Sequence, residues 1–139
     1  EALDFRPERT ILRILGQELV LEPFMVTVAN ARQLGGSAII APRARIDDGL
    51  FDVCVVANLT IPQFLCQAPR LLNGSAEKVP QLEIWRADHL EIERRNHSPM
   101  QVDGESVEAA PRICINVVPR ALKVLVPPAV GESSCSTLN

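Results

Sequence analysis

The sequence has no long apolar run, since no stretch approaches the ~20 residues that a helix needs to span a bilayer. Its first residues also lack the basic stretch and the apolar core of a signal peptide. In addition, the chain begins at Glu1 rather than at a methionine. These absences predict a cytoplasmic chain that is a fragment of a longer protein.

A net positive charge is absent as well, because the 139 residues carry a net charge of −3. Such a chain has no uniform positive field that could hold nucleic acid by its phosphates, which argues against a nucleic-acid partner. The four cysteines form no C-x-x-C pair, which argues against a zinc site and a disulfide framework. Cys54, Cys66 and Cys114 lie in apolar segments, where reduced cysteine behaves as a small hydrophobe.

What remains is the composition of one folded domain. Hydrophobic residues make up 47% and charged residues 22% of a chain that is long enough to bury a continuous core. We therefore predict a single β-rich domain over residues 1–130, followed by a loose, polar C-terminal tail over residues 131–139.

Short runs rich in Val, Ile, Leu and Thr recur between turn residues and predict β-strands. Thr10–Leu15 and Glu18–Val28 predict a hairpin with a turn at Gly16-Gln17 and a break at Pro23. Further strands are predicted at 51–57, 81–86, 89–95, 100–102, 112–118 and 121–126.

One segment, Ile61–Leu72, predicts a helix, with Thr60 as its N-cap and Asn73-Gly74 as its stop. Many short strands with a single short helix indicate a mainly β protein. We predict an antiparallel β-sandwich or a strongly curved, barrel-like sheet.

The first motif that could carry chemistry is Asn30 followed by the adjacent glycines Gly35 and Gly36. Glycine permits a positive φ and lets another group approach the backbone closely. This loop could therefore face a ligand, although a plain turn is the commoner role of a Gly-Gly pair.

The second motif is a turn with two adjacent carboxylates, Asp47 and Asp48, just before the strand at 51–57. Carboxylate and backbone carbonyl oxygens are the ligands that Mg²⁺ prefers. Asp48-Gly49 is equally a pair that makes a β-turn without any ligand.

The third motif is V-D-G-E, in which Asp103 and Glu105 flank a glycine. Two carboxylates this close push each other's proton affinities apart, which leaves one of them better suited to accept a proton near neutral pH. Asp-Gly is again a common turn pair. No P-loop, G-x-S-x-G or H-E-x-x-H motif offers a different chemistry.

Taken in order, V-A-N-x-x-x-x-G-G, A-P-x-A-x-I-D-D-G-L-x-D-V and V-D-G-E resemble the C-terminal domain of the diacylglycerol kinase-like lipid kinases. Ceramide and sphingosine kinases are more distant members of that superfamily, and NAD kinases are related to it. In this family a nucleotide-binding domain with a G-G-D-G-T motif precedes the β-rich domain, and catalysis takes place between the two. This sequence contains no G-G-D-G-T, so the resemblance implies half of an active site, inactive alone.

The resemblance also implies roles for single residues. Glu105 resembles the general base that deprotonates the lipid hydroxyl, and Asp103 would orient it or help to hold metal. Asp48 resembles the family's Mg²⁺-binding aspartate, and the backbone carbonyls of Arg45 and Leu50 would complete that site.

Asn30, Gly35 and Gly36 resemble the family's loop that faces the cleft, where ATP would be bound mainly by the nucleotide-binding domain. Two departures affect the backbone path of this loop. Ala31 and Ser37 stand where family members often have glycine.

The function implied is transfer of the ATP γ-phosphate to the hydroxyl of a diacylglycerol-like or sphingoid lipid. The implied partners are the lipid and the N-terminal kinase domain, while a peripheral membrane contact and a homodimer stay open. Two alternatives also stay open: a non-catalytic lipid- or protein-binding module derived from such a kinase, and part of an NAD kinase-like enzyme.

Overall fold

The computed structural model describes residues 7–33, 38–57 and 59–125. These residues form nine β-strands, one α-helix (α1, Ile61–Leu72) and a 3₁₀ turn (Ala76–Lys78). The strands are β1 (Thr10–Ile14), β2 (Gln17–Leu21), β3 (Pro23–Ala29), β4 (Phe51–Ala57), β5 (Leu82–Ala87), β6 (His89–Arg94), β7 (Ser98–Val102), β8 (Glu105–Ala109) and β9 (Arg112–Asn116). The predicted tail over residues 131–139 lies outside the described residues.

The strands form two main antiparallel sheets and one separate hairpin. The first sheet has the strand order β2-β1-β6-β9, and the second has the order β3-β4-β5. Among the described residues, β7 and β8 pair with each other and with no other strand. This architecture confirms the predicted mainly β, antiparallel sandwich with one short helix.

One hydrophobic cluster joins the two sheets. Leu12, Ile14 and Leu90 contribute to it from the first sheet, and Phe51 and Val53 contribute from the second. None of these side chains is more than 3% exposed. Because burial of apolar surface stabilises a fold by about 25 cal/mol per Å², we expect this contact between the layers to dominate the stability of the domain.

Strand β4 is the central strand of the second sheet and is buried on both faces. Successive side chains of a strand point to opposite faces. Phe51 and Val53 face the first sheet, so Asp52 and Cys54 point the other way. The loop before β4 covers that far face with buried Ile40 and neighbouring alanines. The loop that carries the second acidic motif is therefore packed against the sheet.

Helix α1 has the predicted bounds. At its first turn the Gln63 side chain accepts hydrogen bonds from the backbone N–H and the hydroxyl of Thr60, both at 3.0 Å, which ties down the start of the helix. Phe64 packs on Phe24 of β3 with ring centroids 4.7 Å apart. In the described part of the chain, no helix is long and apolar enough to cross a membrane.

The first hairpin differs from the prediction by one residue. Its turn is Leu15-Gly16, and Ile14 pairs with Gln17. Both turn residues have positive φ, 52° and 74°, as the favoured two-residue hairpin turn requires. The predicted break falls at the first residue of β3, Pro23, where the register is irregular.

Two strand predictions were wrong. Strand β8 was not predicted, because it is a polar strand that is held by its hairpin partner rather than by a buried face. Conversely, residues 121–125 form no strand although their pattern is apolar, and Leu122 is 85% exposed there. A strand needs a partner strand, and no described strand pairs with this segment.

The three cysteines that lie in apolar segments differ in burial. Cys54 is buried, and burial raises the pKa of its thiol to about 12. Cys66 and Cys114 are exposed. Only the first of these three therefore serves as a core residue.

Candidate functional site

Asp48 lies in the loop that leads into β4, and its carboxylate has two partners. The backbone N–H of Leu50 donates to Asp48 Oδ1 at 3.0 Å, and Arg86 donates from Nη2 to Asp48 Oδ2. Gly49, which lies between Asp48 and Leu50 in the chain, has a φ of 74°, a conformation that glycine adopts without strain. With these two hydrogen-bond partners, the Asp48 side chain is only 20% exposed.

The same arginine binds a second carboxylate, that of Asp52 on β4. Arg86 lies directly opposite Asp52 in the β4–β5 pair, and its Nε donates to Asp52 Oδ1 at 3.1 Å. The Asp52 side chain is 3% exposed. Burial raises the pKa of this carboxyl, while the charge and the hydrogen bond of Arg86 oppose that shift.

This geometry bears on the predicted metal site at Asp48, Arg45 and Leu50. One carboxylate oxygen of Asp48 accepts the Leu50 N–H and the other is bound to Arg86. The Arg45 side chain pairs with Asp47 at 3.1 Å, which lowers the pKa of that exposed carboxyl. Within the described residues there is no cluster of three or more His, Cys, Asp or Glu side chains that could hold a metal ion. Both oxygens of Asp48 thus already accept a hydrogen bond, and the metal role of Asp48 with the backbone carbonyls of Arg45 and Leu50 stays a prediction.

The third motif is the tip of the β7–β8 hairpin. Val102 pairs with Glu105, and the two-residue turn between them is Asp103-Gly104. Asp103 and Gly104 have φ values of 50° and 92°, the left-handed conformations that such a turn requires. The turn interpretation of Asp-Gly is therefore correct, and the turn places the predicted base on a strand.

Glu105 shares a face of this hairpin with apolar side chains. Residues directly opposite each other in an antiparallel pair point to the same face, and the pairs Val102–Glu105 and Met100–Val107 alternate with polar pairs. Val102 is 47% and Val107 is 40% exposed. Within the described part of the chain, the Glu105 side chain has no hydrogen bond or ion pair. Its carboxylate is thus exposed beside apolar surface.

The glycine-rich loop is only partly described. Asn30 follows β3 directly and is exposed. Gly35 and Gly36 lie outside the described residues. An open groove of about 500 Å³ is lined by residues 31–33 on one side and by residues 44–47 on the other. Residues next to the first two motifs therefore line one groove, and Arg45 is the predicted site residue among them. Asn30, Asp48, Asp103 and Glu105 do not line it.

Sequence reasoning missed the two residues that complete the Asp48 arrangement, Asp52 and Arg86. A charged residue at the second position of an otherwise apolar strand was the available signal for Asp52, since a buried carboxylate needs a partner. Arg86 had no such signal, because its role depends on the pairing register of β4 and β5.

Fold and site together define the class of the domain. It is a two-sheet β-sandwich with an acidic loop and an acidic hairpin. The comparison with known families agrees: residues 1–126 match the family described as YegS C-terminal NAD kinase beta sandwich-like domain. The chain belongs to this family. That membership confirms the fold and the broad lipid-kinase relationship that the motifs indicated.

Two curated relatives that bear the same name are similar to this chain in sequence. A protein of Pseudomonas aeruginosa (strain UCBPP-PA14) named "Probable lipid kinase YegS-like" is 35% identical over 101 residues, which cover 72% of this chain and 32% of the relative. A protein of the same name from Stenotrophomonas maltophilia (strain K279a) is 30% identical over 125 residues, which cover 88% of this chain and 40% of the relative. The chain thus spans between about a third and two fifths of the length of these relatives.

Solved structures with the same fold come from Bacillus anthracis str. Sterne. One is similar over 81% of this chain and 38% of its own, with a TM-score of 0.65 and 25% identity. Another, described as a diacylglycerol kinase, is similar over 79% of this chain and 39% of its own, with a TM-score of 0.61 and 23% identity. The second likeness shows the fold alone.

Proposed function

We propose that this chain is the lipid-side domain of an ATP-dependent lipid kinase. The proposal depends on one observation above all: Glu105 of the V-D-G-E motif stands exposed and unpaired, among the described residues, on the apolar face of a hairpin. A base that acts on a lipid hydroxyl has to meet an apolar substrate without being neutralised by the fold. Membership of the YegS C-terminal domain family supports the same function.

In the proposed reaction Glu105 accepts the proton of the lipid hydroxyl as its oxygen attacks the γ-phosphorus of ATP. The bond from that phosphorus to the bridging oxygen breaks, and ADP leaves. A positioned carboxylate base of this kind contributes typically about 10²- to 10⁴-fold to a rate. Asp103, one residue before the hairpin glycine, would orient the base.

ATP would be bound mainly by the part of the relatives that this chain does not cover. Mg²⁺ bound with ATP generally neutralises the charge that develops on the phosphates in such reactions. We place the Asn30 loop and its groove at the side of the domain that meets the nucleotide-binding part. The exposed apolar residues beside Glu105 would meet the acyl or sphingoid chain.

A direct test measures phosphate transfer from radiolabelled ATP by a longer protein that joins this chain to its upstream sequence. The acceptor panel contains diacylglycerol, ceramide, sphingosine, phosphatidylglycerol and NAD, and the present chain is assayed alone beside it. We expect transfer to one lipid by the longer protein and none by the chain alone. Transfer to NAD alone would reassign the domain to an NAD kinase-like enzyme, and no transfer at all would favour a binding module.

A further inference from the structure

The guanidinium of Arg86 binds Asp48 at the place where the resemblance implies a metal ion. Arg86 reaches both Asp48 and Asp52, and its guanidinium can serve two carboxylates because its donors point in fixed, different directions. The buried Asp52 anchors one donor at 3.1 Å. The other donor is thereby held where it meets the end of the loop.

The contact between Arg86 and Asp48 lies where it can hold the second part of the loop before β4 in place. Ala41 and Ala44 of the loop are buried against the far face of β4, but the loop beyond them is exposed at residues 45–47. Apolar packing therefore secures only the first part of the loop. The Arg86 contact and the Leu50 N–H secure its second part, which carries the predicted metal ligands.

A divalent cation at Asp48 would have to compete with this arrangement. It would lie beside a guanidinium that is already fixed to the same carboxylate, and like charges at such distances repel. Moving Arg86 away would also leave the buried Asp52 without its counter-charge, which is costly for a side chain 3% exposed.

We infer that Arg86, and not a divalent cation, holds Asp48 and with it the second part of the loop before β4. Arg86 is a positioning residue in this assignment, since it acts on the loop and through it on the groove lined by residues 44–47. The inference does not depend on the proposed kinase activity, because it concerns how the domain itself is held together.

The first experiment uses the unmodified chain. Its thermal unfolding is measured in EDTA, in MgCl₂ and in NaCl of matched ionic strength. We expect the same Tm in all three, because a metal that binds only the folded state would raise Tm with its concentration. A Tm that falls in EDTA and rises with MgCl₂, but not with NaCl, would overturn the inference.

Arg86→Gln tests the other half of the inference. We expect its Tm to fall by about 4–8 °C, and we expect amide exchange to accelerate at residues 45–50 while β1 and β6 keep their protection. Arg43→Gln is the matched control, because Arg43 lies in the same loop and pairs with the exposed Glu77 at 2.7 Å. Unchanged exchange at residues 45–50 in Arg86→Gln would contradict the inference.

If Arg86→Gln fails to fold, Asp48→Asn takes its place, because Arg86 then still pairs with the buried Asp52. The expected result is faster exchange at residues 45–50, identical in EDTA and in MgCl₂. If Mg²⁺ instead slows that exchange in the unmodified chain and Asp48→Asn abolishes the effect, a metal holds the loop and the inference is wrong.

Discussion

The Asp48 loop and the Glu105 hairpin are both acidic turns with a glycine in left-handed conformation, at φ values of 74° and 92°, yet they use their carboxylates in opposite ways. The oxygens of Asp48 are bound to a backbone N–H and to Arg86. The carboxylate of Glu105 is exposed and, among the described residues, has no such partner.

This difference indicates which of the two carboxylates is available to react with a substrate. The Asp48 carboxylate is bound by the fold at both oxygens and contributes to structure, and any cation that approaches it meets the charge of Arg86. A carboxylate that the fold leaves unpaired beside apolar surface is available to a substrate. Both sequence motifs combine two carboxylates with a glycine. The sequence alone therefore did not show which carboxylate is bound by the fold and which is not.

The largest effect that would sharpen this comparison is expected from Glu105→Gln. In the longer protein we expect lipid phosphorylation to fall about 10²- to 10⁴-fold, because the amide cannot accept the proton of the attacking hydroxyl. The thermal stability should stay unchanged, since the described residues give Glu105 no partner to lose. Rates are measured with radiolabelled ATP at saturating lipid.

Glu108→Gln is the matched control for that experiment. Glu108 pairs with Pro99 on the other face of the same hairpin, so it carries the same charge at nearly the same place without facing the apolar side. Loss of activity in both variants would point to hairpin charge rather than a base, and full activity in Glu105→Gln would remove this residue from the mechanism.

The next effect contrasts the sandwich with the hairpin in stability. Leu90 is fully buried between the sheets, and we expect Leu90→Ala to lower the free energy of unfolding by about 2–5 kcal/mol. Val107 is 40% exposed on the hairpin, so Val107→Ala should change it by less than about 1 kcal/mol. Urea denaturation measures both, and a cost for Val107→Ala as large as that for Leu90→Ala would show that the hairpin is part of the core.

Much of the fold followed from local pattern. Short runs rich in Val, Ile, Leu and Thr predicted the strands of both sheets, and the segment from Ile61 to Leu72 predicted the helix with its correct bounds. Such features depend on neighbours within a few residues. The hairpin at Asp103-Gly104 was indicated as a turn for the same reason, although its second strand was missed because its residues are mostly polar.

The Asp48 arrangement was less accessible to prediction. Arg86 is 38 residues from Asp48 and 34 from Asp52, and the three meet only because β4 and β5 pair in one particular register. The strand predicted at 121–126 failed for a related reason, since an apolar pattern does not reveal whether a partner edge is present. Contacts between distant segments were thus the part that the sequence did not disclose.

The smallest effect concerns pH and tests whether Arg86 acts through its charge. Burial raises the pKa of Asp52 in the folded chain. Stability from this group is therefore present at acid pH and is lost as the pH rises through its folded pKa. Arg86→Gln removes the charge that opposes this shift, so the pKa of Asp52 should rise further and the variant should lose more stability than the unmodified chain as the pH rises.

We expect the difference in free energy of unfolding between Arg86→Gln and the unmodified chain to be smallest near pH 4 and to reach about 1–2 kcal/mol near pH 7. The lower end of the range for charged pairs applies because the Arg86 side chain is 43% exposed and solvent screens its charge. Urea denaturation of both proteins across this pH range measures the difference. A difference that stays constant with pH would mean that Arg86 stabilises the domain by packing, and the contrast between a neutralised Asp48 and an unpaired Glu105 would then lose its electrostatic basis.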